Sequence, residues 1–273
     1  MAVWYLSDAG QQAMGGQLVA SSLLTTVTAG GTANTAGSWI QMHAATTFPV
    51  SGLLVFLGQT GIATAATNTS ALVDIGVGAA GSEQAIVSNI ALGGSLPFAS
   101  WTIPLAINSG ARIAVRLRSA VASKSCTMGM AVYGGGGGLE AGNLAVTYGA
   151  NTASSTGTSL TAPGAINTKA AWTQIAAATT SRHGWMVVGV GAPANATATA
   201  TNGLIDIGVG AAAAEVAVIK DIPFAVSANE DVNVAYPLTF PVNIPSGTRL
   251  VARYQATATA TSATPHLTLV GIN

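Results

Sequence analysis

The segment ALVDIGVGAAGSEQAIV at residues 71–87 returns later in the chain as GLIDIGVGAAAAEVAVI at residues 203–219. Asp206 follows Asp74 by 132 positions and occupies the same place in the segment. In both copies, short runs of Val, Ile and Leu flank a turn rich in Gly and Ala, a pattern typical of two β-strands joined by a loop. The repeat therefore predicts one β-rich unit that is built twice.

Two further segments repeat in the same order on either side of this one. TVTAGGTANTAGSW at 26–39 matches SLTAPGAINTKAAW at 159–172, and TIPLAINSGARIAVR at 102–116 matches TFPVNIPSGTRLVAR at 239–253. The shared order indicates a tandem duplication. It predicts an N-terminal arm at 1–20, copy one at 21–133, a Gly-rich linker at 134–153 and copy two at 154–273.

Alternation of apolar and polar residues predicts strands in each copy. The segments 112–118, 249–255 and 266–270 alternate in this way, which is the pattern of a half-buried strand. Short apolar runs bounded by Gly, Pro, Asn and Ser recur along the rest of both copies. The sequence therefore predicts an all-β fold of two tandem antiparallel β-sandwich (jelly-roll-like) domains. A short helix at 79–86 and at 211–218 is an alternative that the Ala content leaves open.

Composition excludes several classes of function. Charged residues make up 7% of the 273 residues and cancel to a formal net charge of zero, against about 25% charged residues in an ordinary domain. Without a basic excess, nucleic-acid binding through phosphate contacts is not expected. Mean hydropathy is +0.51, but every apolar run is much shorter than the about 20 residues that a membrane-spanning helix needs. The first residues lack the basic and apolar regions of a signal peptide, which predicts synthesis in a cytoplasm.

Charged residues that recur at matched positions are the strongest candidates for a site. There are eight of them: Asp74, Glu83, Arg112, Arg116, Asp206, Glu215, Arg249 and Arg253. A duplicated metal or ligand site is one interpretation, and an enzyme that uses the Asp–Glu pairs is a related hypothesis. Structural ion pairs are the favoured interpretation, because carboxylates in so apolar a chain need cationic partners when they are buried.

No motif for catalysis, a cofactor or a metal accompanies these charges. The histidines His43, His183 and His266 fall at unmatched positions, and Cys126 is the one cysteine. The spacing of zinc ligands is absent, and so is the nucleophile elbow of hydrolases. The Gly-x-Gly of DIGVG lacks the following helix that dinucleotide binding requires. We therefore predict no enzyme activity, no cofactor and no metal.

The tryptophans support two different predictions. Trp39 and Trp172 occupy equivalent positions in the repeat and are predicted to anchor the core at the start of a strand. Trp101 and Trp185 are not matched by tryptophan in the other copy. Together with Thr-rich loops, they motivate an alternative function, a host-surface or glycan-binding module of a fibre or adhesin.

Small side chains and little charge are typical of an assembly component, because low charge reduces the free-energy cost of burying a large interface. Surfaces near zero net charge also tend to associate, so a homo-oligomer is expected. The N-terminal arm adds three apolar side chains that are predicted to dock on a neighbour: Trp4, Tyr5 and Leu6.

The order of motifs in each copy resembles a known family. NTxxxW at 34–39, LVDIGVGAAGSE at 72–83, a Pro-bearing strand, Ser109-Gly110 and an arginine-bearing strand resemble the small β modules of virion structural proteins in tailed bacteriophages. The resemblance implies self-association with a trimer favoured, and no enzyme activity. It further implies a capsid decoration, head-fibre or tail-associated protein, made in the host cytoplasm and located in the virion. Its partners would be itself and other virion proteins, such as the major capsid protein or tail proteins.

Overall fold

A computed structural model of the chain describes residues 17–18, 25–60, 71–92, 99–134, 142–150, 152, 157–191, 201–226, 232–233, 238–257 and 265–273. Every regular element in these ranges is a β-strand, and the ladders between strands are antiparallel. Over the same ranges no helix is long and apolar enough to cross a membrane. The predicted all-β, sandwich-like fold is confirmed.

The strands fall into two units. The first sandwich contains β1 (Gln17–Leu18), β2 (Thr25–Thr28), β3 (Ile40–His43), β4 (Val50–Thr60), β5 (Ala71–Val77), β6 (Gln84–Leu92), β7 (Ala99–Ile103), β8 (Ile113–Ser119) and β9 (Ser125–Gly134). The second sandwich contains β10 (Ala145–Tyr148), β11 (Thr158–Ser159), β12 (Thr173–Ala176), β13 (His183–Gly191), β14 (Thr201–Val209), β15 (Val216–Val226), β16 (Val232–Asn233), β17 (Leu238–Ile244), β18 (Leu250–Ala256) and β19 (His266–Ile272).

The two sandwiches have the same strand order. In the first, one sheet runs β1-β9-β4-β7 with β2 also paired to β9, and the other runs β3-β8-β5-β6. In the second, one sheet runs β10-β19-β13-β17 with β11 also paired to β19, and the other runs β12-β18-β14-β15-β16. The order matches strand for strand, with β16 added at one edge. This topology agrees with the sequence repeat, and the duplication itself stays an interpretation.

Alternation along the strands sorts side chains between the core and the outer faces. Ile113, Val115 and Leu117 of β8 are fully buried between the two sheets of the first sandwich. Arg116 and Arg118, on the same strand, point to the opposite face because successive side chains of a strand alternate. Full burial of one such apolar side chain contributes about 1.5–3 kcal/mol. The core therefore fixes the register, and the register places the arginines on the outer face.

The loop between β5 and β6 is a tight turn that the second sandwich repeats between β14 and β15. The N–H of Ser82 donates to the carbonyl oxygen of Ala79 at 2.9 Å. Gly81 has a φ of 83°, and Ala213 at the equivalent place has a φ of 64°. The helix that the sequence left open for these loops is wrong, because a left-handed residue in the turn sends the chain straight back as the next strand.

The structure differs from the predicted linker in one respect. Ala145–Tyr148, inside the range 134–153, form β10 and pair with β19. The glycine run that predicts a linker ends at Gly138, before a short segment, AVTY, with side chains suited to a sheet. The second sandwich therefore begins within the range predicted as linker.

The two sandwiches contact each other at a junction formed by β6 and β7 of the first and by β10, β13, β17 and β19 of the second. Val187, Val270 and Ile272 of the second sandwich belong to the same buried cluster as the core of the first. The hydroxyl of Thr239 donates to the carbonyl oxygen of Thr102 at 2.7 Å across the junction. The junction therefore has an apolar part and a polar part.

The positive φ of Ala213 generates a stability prediction. A non-Gly residue in the left-handed region costs about 1 kcal/mol, so Ala213→Gly should raise the free energy of unfolding by about 0.5–1 kcal/mol. Ala212→Gly, one position earlier and without a positive φ, is the matched control and should lower stability. Denaturant unfolding of the three chains measures this, and equal effects of both substitutions would contradict it.

Candidate functional site

The repeated aspartates lie at equivalent places on the central strands β5 and β14. Asp74 is 0% exposed and Asp206 is 3% exposed. Each lies between two apolar residues that point into its own core, as Val73 and Ile75 do beside Asp74, so each carboxylate projects from the outer face of its sheet. A buried carboxylate needs cations and hydrogen-bond donors around it, and both surroundings supply them.

Asp74 is held by two arginines and one backbone amide. Arg116 donates through Nε to Oδ2 at 2.8 Å, and Arg118 donates through Nη2 to both carboxylate oxygens at 2.8 Å. The N–H of Asn89 donates to Oδ1 at 2.9 Å. The carboxylate thus connects β5 to β8 on one side and to β6 on the other.

Asp206 repeats this arrangement with one different cation. Arg253 donates to Oδ2 at 3.0 Å, Lys169 donates to Oδ1 at 2.8 Å, and the N–H of Asp221 donates to Oδ1 at 3.1 Å. Burial raises the pKa of Asp206, but the hydrogen bonds from these three donors outweigh burial, so the pKa lies below its ordinary value. Lys169 also binds the Asp221 carboxylate at 2.8 Å. The site is an anionic carboxylate enclosed by donors.

The second cation comes from a different element in each sandwich. Arg118 stands on β8, and the equivalent position on β18 is Gln255, as the registers with β5 and β14 show. Lys169 lies before β12, and its match in the first copy is Ala36. Sequence reasoning missed Arg118 and Lys169 because neither recurs. The signal that could have found Arg118 is its place in the same alternating strand as Arg116.

Each aspartate also fixes an irregularity in the neighbouring strand. Asn89 and Asp221, whose N–H groups bind the carboxylates, have φ values of 59° and 58°. The pairing register shifts at Asp74 and at Asp206, so each neighbour strand carries a β-bulge there. Asn and Asp tolerate this left-handed conformation best among residues with a Cβ. The ion-pair cluster therefore sets where the bulge forms.

Trp39 and Trp172 cover the outer faces of the sheets. The guanidinium carbon of Arg116 lies 4.4 Å from the ring centroid of Trp39, and that of Arg253 lies 4.2 Å from Trp172. A Cβ on Gly76 would lie 2.7 Å from the Trp39 ring, so glycine allows the ring to lie flat on the sheet. Both rings are half-buried and lie outside the hydrophobic core. The sequence prediction that they anchor the core is therefore wrong. They stack on the arginines that bind the aspartates.

The repeated glutamates pin the tight turns. Arg112 donates to Glu83 at 2.6 Å and to the carbonyl oxygen of Gly78 at 3.3 Å. Its Nε donates to Oε1 of Gln41 on β3 at 2.8 Å. The N–H of Gly81 donates to the second oxygen of Glu83 at 2.9 Å. This arginine therefore joins β3, β8 and the β5–β6 turn.

The second sandwich repeats these contacts with Arg249. It donates to Glu215 at 2.8 Å, to the carbonyl oxygen of Gly210 at 3.1 Å and to Gln174 at 2.8 Å. The hydrogen bond from Arg249 lowers the pKa of Glu215. All eight repeated charges are thus paired with one another in the structure, four pairs in all.

The buried histidines lie on the inner side of the fold. Nε2 of His43 is 3.3 Å from the carbonyl oxygen of Met130, and Nε2 of His183 is 2.8 Å from the hydroxyl of Tyr148. Burial lowers the pKa of both histidines. These contacts join strands of one sandwich and assemble no acid–base pair with a carboxylate.

The remaining candidates carry no site in the part of the chain that is described. No group of three or more His, Cys, Asp or Glu side chains that could hold a metal occurs there. Cys126 is buried, and burial raises the pKa of its thiol to about 12. The predicted docking residues of the arm lie outside the described residues: Trp4, Tyr5 and Leu6.

A groove on the outer face of the second sandwich was not predicted. It has a volume of about 480 Å³ and runs between β14, β15 and β18. Leu204, Pro223, Phe224, Gln255 and Thr257 are among its lining residues. We call it the β14–β15 groove. No local sequence signal predicts the groove, because it depends on whether another segment packs over these three strands.

Comparison with known proteins assigns no family. No family model matches the chain, and no curated protein matches it. A solved structure described as PNGF-II in a P21 crystal form is similar with a TM-score of 0.35 and 8% identity, over 92% of this chain and 66% of that one. The chain thus spans a little under two thirds of the length of that structure.

The buried aspartates should act on stability. Removing one partner of a fully buried ion pair costs about 3–5 kcal/mol. Because Lys169 and Arg253 keep part of their side chains exposed, we expect Asp206→Asn to lower the free energy of unfolding by about 2–3 kcal/mol. Asp221→Asn, which removes an exposed partner of the same lysine, should cost less than about 1 kcal/mol. Denaturant unfolding measures both, and equal losses would contradict the structural role of Asp206.

The histidines predict how stability depends on pH. Burial lowers the folded-state pKa of His43 and His183, so the unfolded chain binds these protons at higher pH than the folded chain. The free energy of unfolding should therefore fall as the pH drops below about 6.5. The lowered pKa values of Asp206 and Glu215 add a second loss below about 4. In a pH series of thermal unfolding, His43→Gln should reduce the first loss and spare the second; an unchanged profile would contradict the assignment.

Proposed function

We propose that the chain is a non-enzymatic structural component of a bacteriophage virion. In this proposal it is a capsid decoration or head- or tail-associated protein that associates with itself and docks on the particle. The sandwich fold provides the framework, and the step to a virion rests on the resemblance of the repeated motifs to tailed-phage structural modules.

The observation that carries the proposal is that the repeated charges hold the strands and turns of the two sandwiches in place. Asp74 and Asp206 hold bulges, and Glu83 and Glu215 hold turns. The side chains that would have supplied a duplicated metal or catalytic site are occupied in shaping the outer faces of the two sandwiches. A repeated device that shapes a surface supports a role in contacts between proteins.

The surface composition supports the same role. Val216 and Val218 are large apolar side chains that remain exposed on β15, whose other end lines the open β14–β15 groove. With 7% charged residues in the chain, a broad contact would desolvate few charges, and such depletion is typical of the buried centres of interfaces.

The alternative function is a host-surface or glycan-binding module, which Trp101, Trp185 and the Thr-rich loops motivate. Trp101 is 2% exposed in the core of the first sandwich. Trp185 is half-buried and packs against that same core from the second sandwich. The Trp101 ring therefore has no free face on which a sugar could stack, and the Trp185 ring is covered in part. Binding to a glycan array or to host cells would nevertheless favour this alternative over a particle component.

Labelling of intact particles tests the proposal. Antibodies raised against the purified chain should decorate virions purified from the source of the gene, seen by immunogold electron microscopy. The chain should also be found in those virions by mass spectrometry, and light scattering should give the mass of a trimer. Recovery of the chain only from particle-free fractions would overturn the proposal.

A further inference from the structure

The junction covers the middle of β6, one strand of the first sandwich. The outer side of β6 contacts β10, β13 and β19 of the second sandwich. Ile86 on β6 packs in the same cluster as Val187, Val270 and Ile272. Val187 faces Val270 across the β13–β19 ladder, so these side chains form one apolar face. We call this face the covering face.

Polar contacts extend the junction beyond the covering face. The hydroxyl of Thr147 on β10 donates to the carbonyl oxygen of Ser88. The side-chain amide of Asn89 donates to the carbonyl oxygen of Ala150 at 3.1 Å. Ala150 is buried against Leu72 on the outer side of β5. The segment from β10 to Ala150 therefore lies across β6 and covers part of the outer face of the first sandwich.

The equivalent strand of the second sandwich is uncovered. Val218 on β15 is the equivalent of Ile86 on β6, as the strand pairings show. The Val218 side chain is 42% exposed. Val216 is 64% exposed. Lys220, at the register of Ser88, is exposed as well. At the positions of Val218 and Lys220, the second sandwich thus exposes a surface whose counterpart in the first sandwich is half-buried.

The β14–β15 groove is the second part of this uncovered surface. Leu204 lines it at the register of Leu72, and Thr257 lines it at the position that matches Ala120 in the repeat. In the first sandwich, Ala150 packs against Leu72 and Ala120 at this place. The groove is therefore the empty counterpart of the space that Ala150 and its neighbours fill.

The first sandwich carries a counterpart of the covering face. The side chains of the covering face have equivalents in the first sandwich, namely Leu54, Ala131 and Tyr133. All three are half-buried. The Tyr133 ring lies over Gly52, which takes the register of Trp185. In addition, β1 pairs with β9 as β10 pairs with β19. Each chain thus has a covering face at one end and an uncovered β15 at the other.

We propose that the first sandwich of a second copy binds β15 and the β14–β15 groove, in the way that the second sandwich of each chain binds β6. The occupant is a second copy because the junction inside the chain already shows this pair of surfaces in contact. The interface is heterologous, since two different surfaces meet. The proposal rests on the self-association in the proposed function and gives it a geometry. It does not require the assembly to be a virion.

The contact between β7 and β17 brings equivalent strands of the two sandwiches together. Thr102 and Thr239 occupy equivalent positions in the two copies of the repeat, and they are joined by a hydrogen bond of 2.7 Å. Equivalent points lie close together when they are near the axis of the rotation that relates two copies, so this contact favours an axis near these threonines. A heterologous contact gives a ring where its rotation closes and an open filament where it does not, and we propose the ring.

Charge substitution at the uncovered strand is the first test. An aspartate in place of Val218 would have to lose its hydration in the interface, so Val218→Asp should weaken association at least about tenfold. Leu144→Asp is the control, since Leu144 is 47% exposed and lies outside both proposed surfaces. Sedimentation measures association, and thermal unfolding checks that both variants fold.

The outcomes of this test distinguish failure of this inference from failure of the proposed function. A chain that stays monomeric at its highest soluble concentration overturns the inference. Association that Val218→Asp and Leu144→Asp leave equally strong also overturns it, while the self-association of the proposed function stands. Binding to virions without self-association would leave the particle role in place and remove the inference. A series of masses that grows with concentration, instead of one closed species, would contradict the ring.

A cysteine pair tests the register. Position 18 on β1 takes the register that Thr147 takes on β10, and Lys220 takes that of Ser88. In Leu18→Cys/Lys220→Cys, oxidised glutathione should therefore form disulfides between chains, seen as multimers on a non-reducing gel. Either substitution alone is the control, because Cys126 is buried. A disulfide within one chain, or multimers equally abundant in the controls, would overturn the inference.

Discussion

A buried carboxylate held between two cations is the interaction on which each sandwich depends. Burying a lone carboxylate would cost more free energy than the fold could supply, so Asp74 and Asp206 require the donors around them. Those donors come from three elements, and the carboxylate therefore fixes the neighbouring strands relative to one another. It also satisfies the amide of a left-handed residue, which places a bulge in β6 and in β15.

The bulge links the ion pairs to the surface. In the first sandwich it carries Asn89, whose side chain binds the segment at Ala150. In the second it carries Asp221, whose carboxylate stays at the surface with Lys169. One internal device thus shapes the same strand in both sandwiches, and the residue on the bulge decides which contact that strand makes. One polar contact of the junction, from Asn89 to Ala150, is therefore linked to the charge cluster of the first sandwich.

Much of the fold follows from the sequence because its causes are local. Alternation in β8 and β18 and the matched segments predict strands and the pairing of the repeated charges. The role of Trp39 was harder to predict, since a ring stacked on Arg116 outside the core has the same sequence pattern as a buried one. Lys169 was not identified because it does not recur, since its match in the first copy is Ala36. The β14–β15 groove depends on what packs nearby, and no single segment encodes that.

The differences between the two copies favour a protein occupant for the open groove. Where the first sandwich uses Arg118 to neutralise its aspartate, the second has Gln255, and Lys169 supplies the charge from outside β18. The groove is therefore lined by a neutral amide at the place where the repeat would put a guanidinium. Filling it with an apolar segment then desolvates no cation. An anionic ligand would find no guanidinium at this place in the groove, whereas an apolar segment needs none.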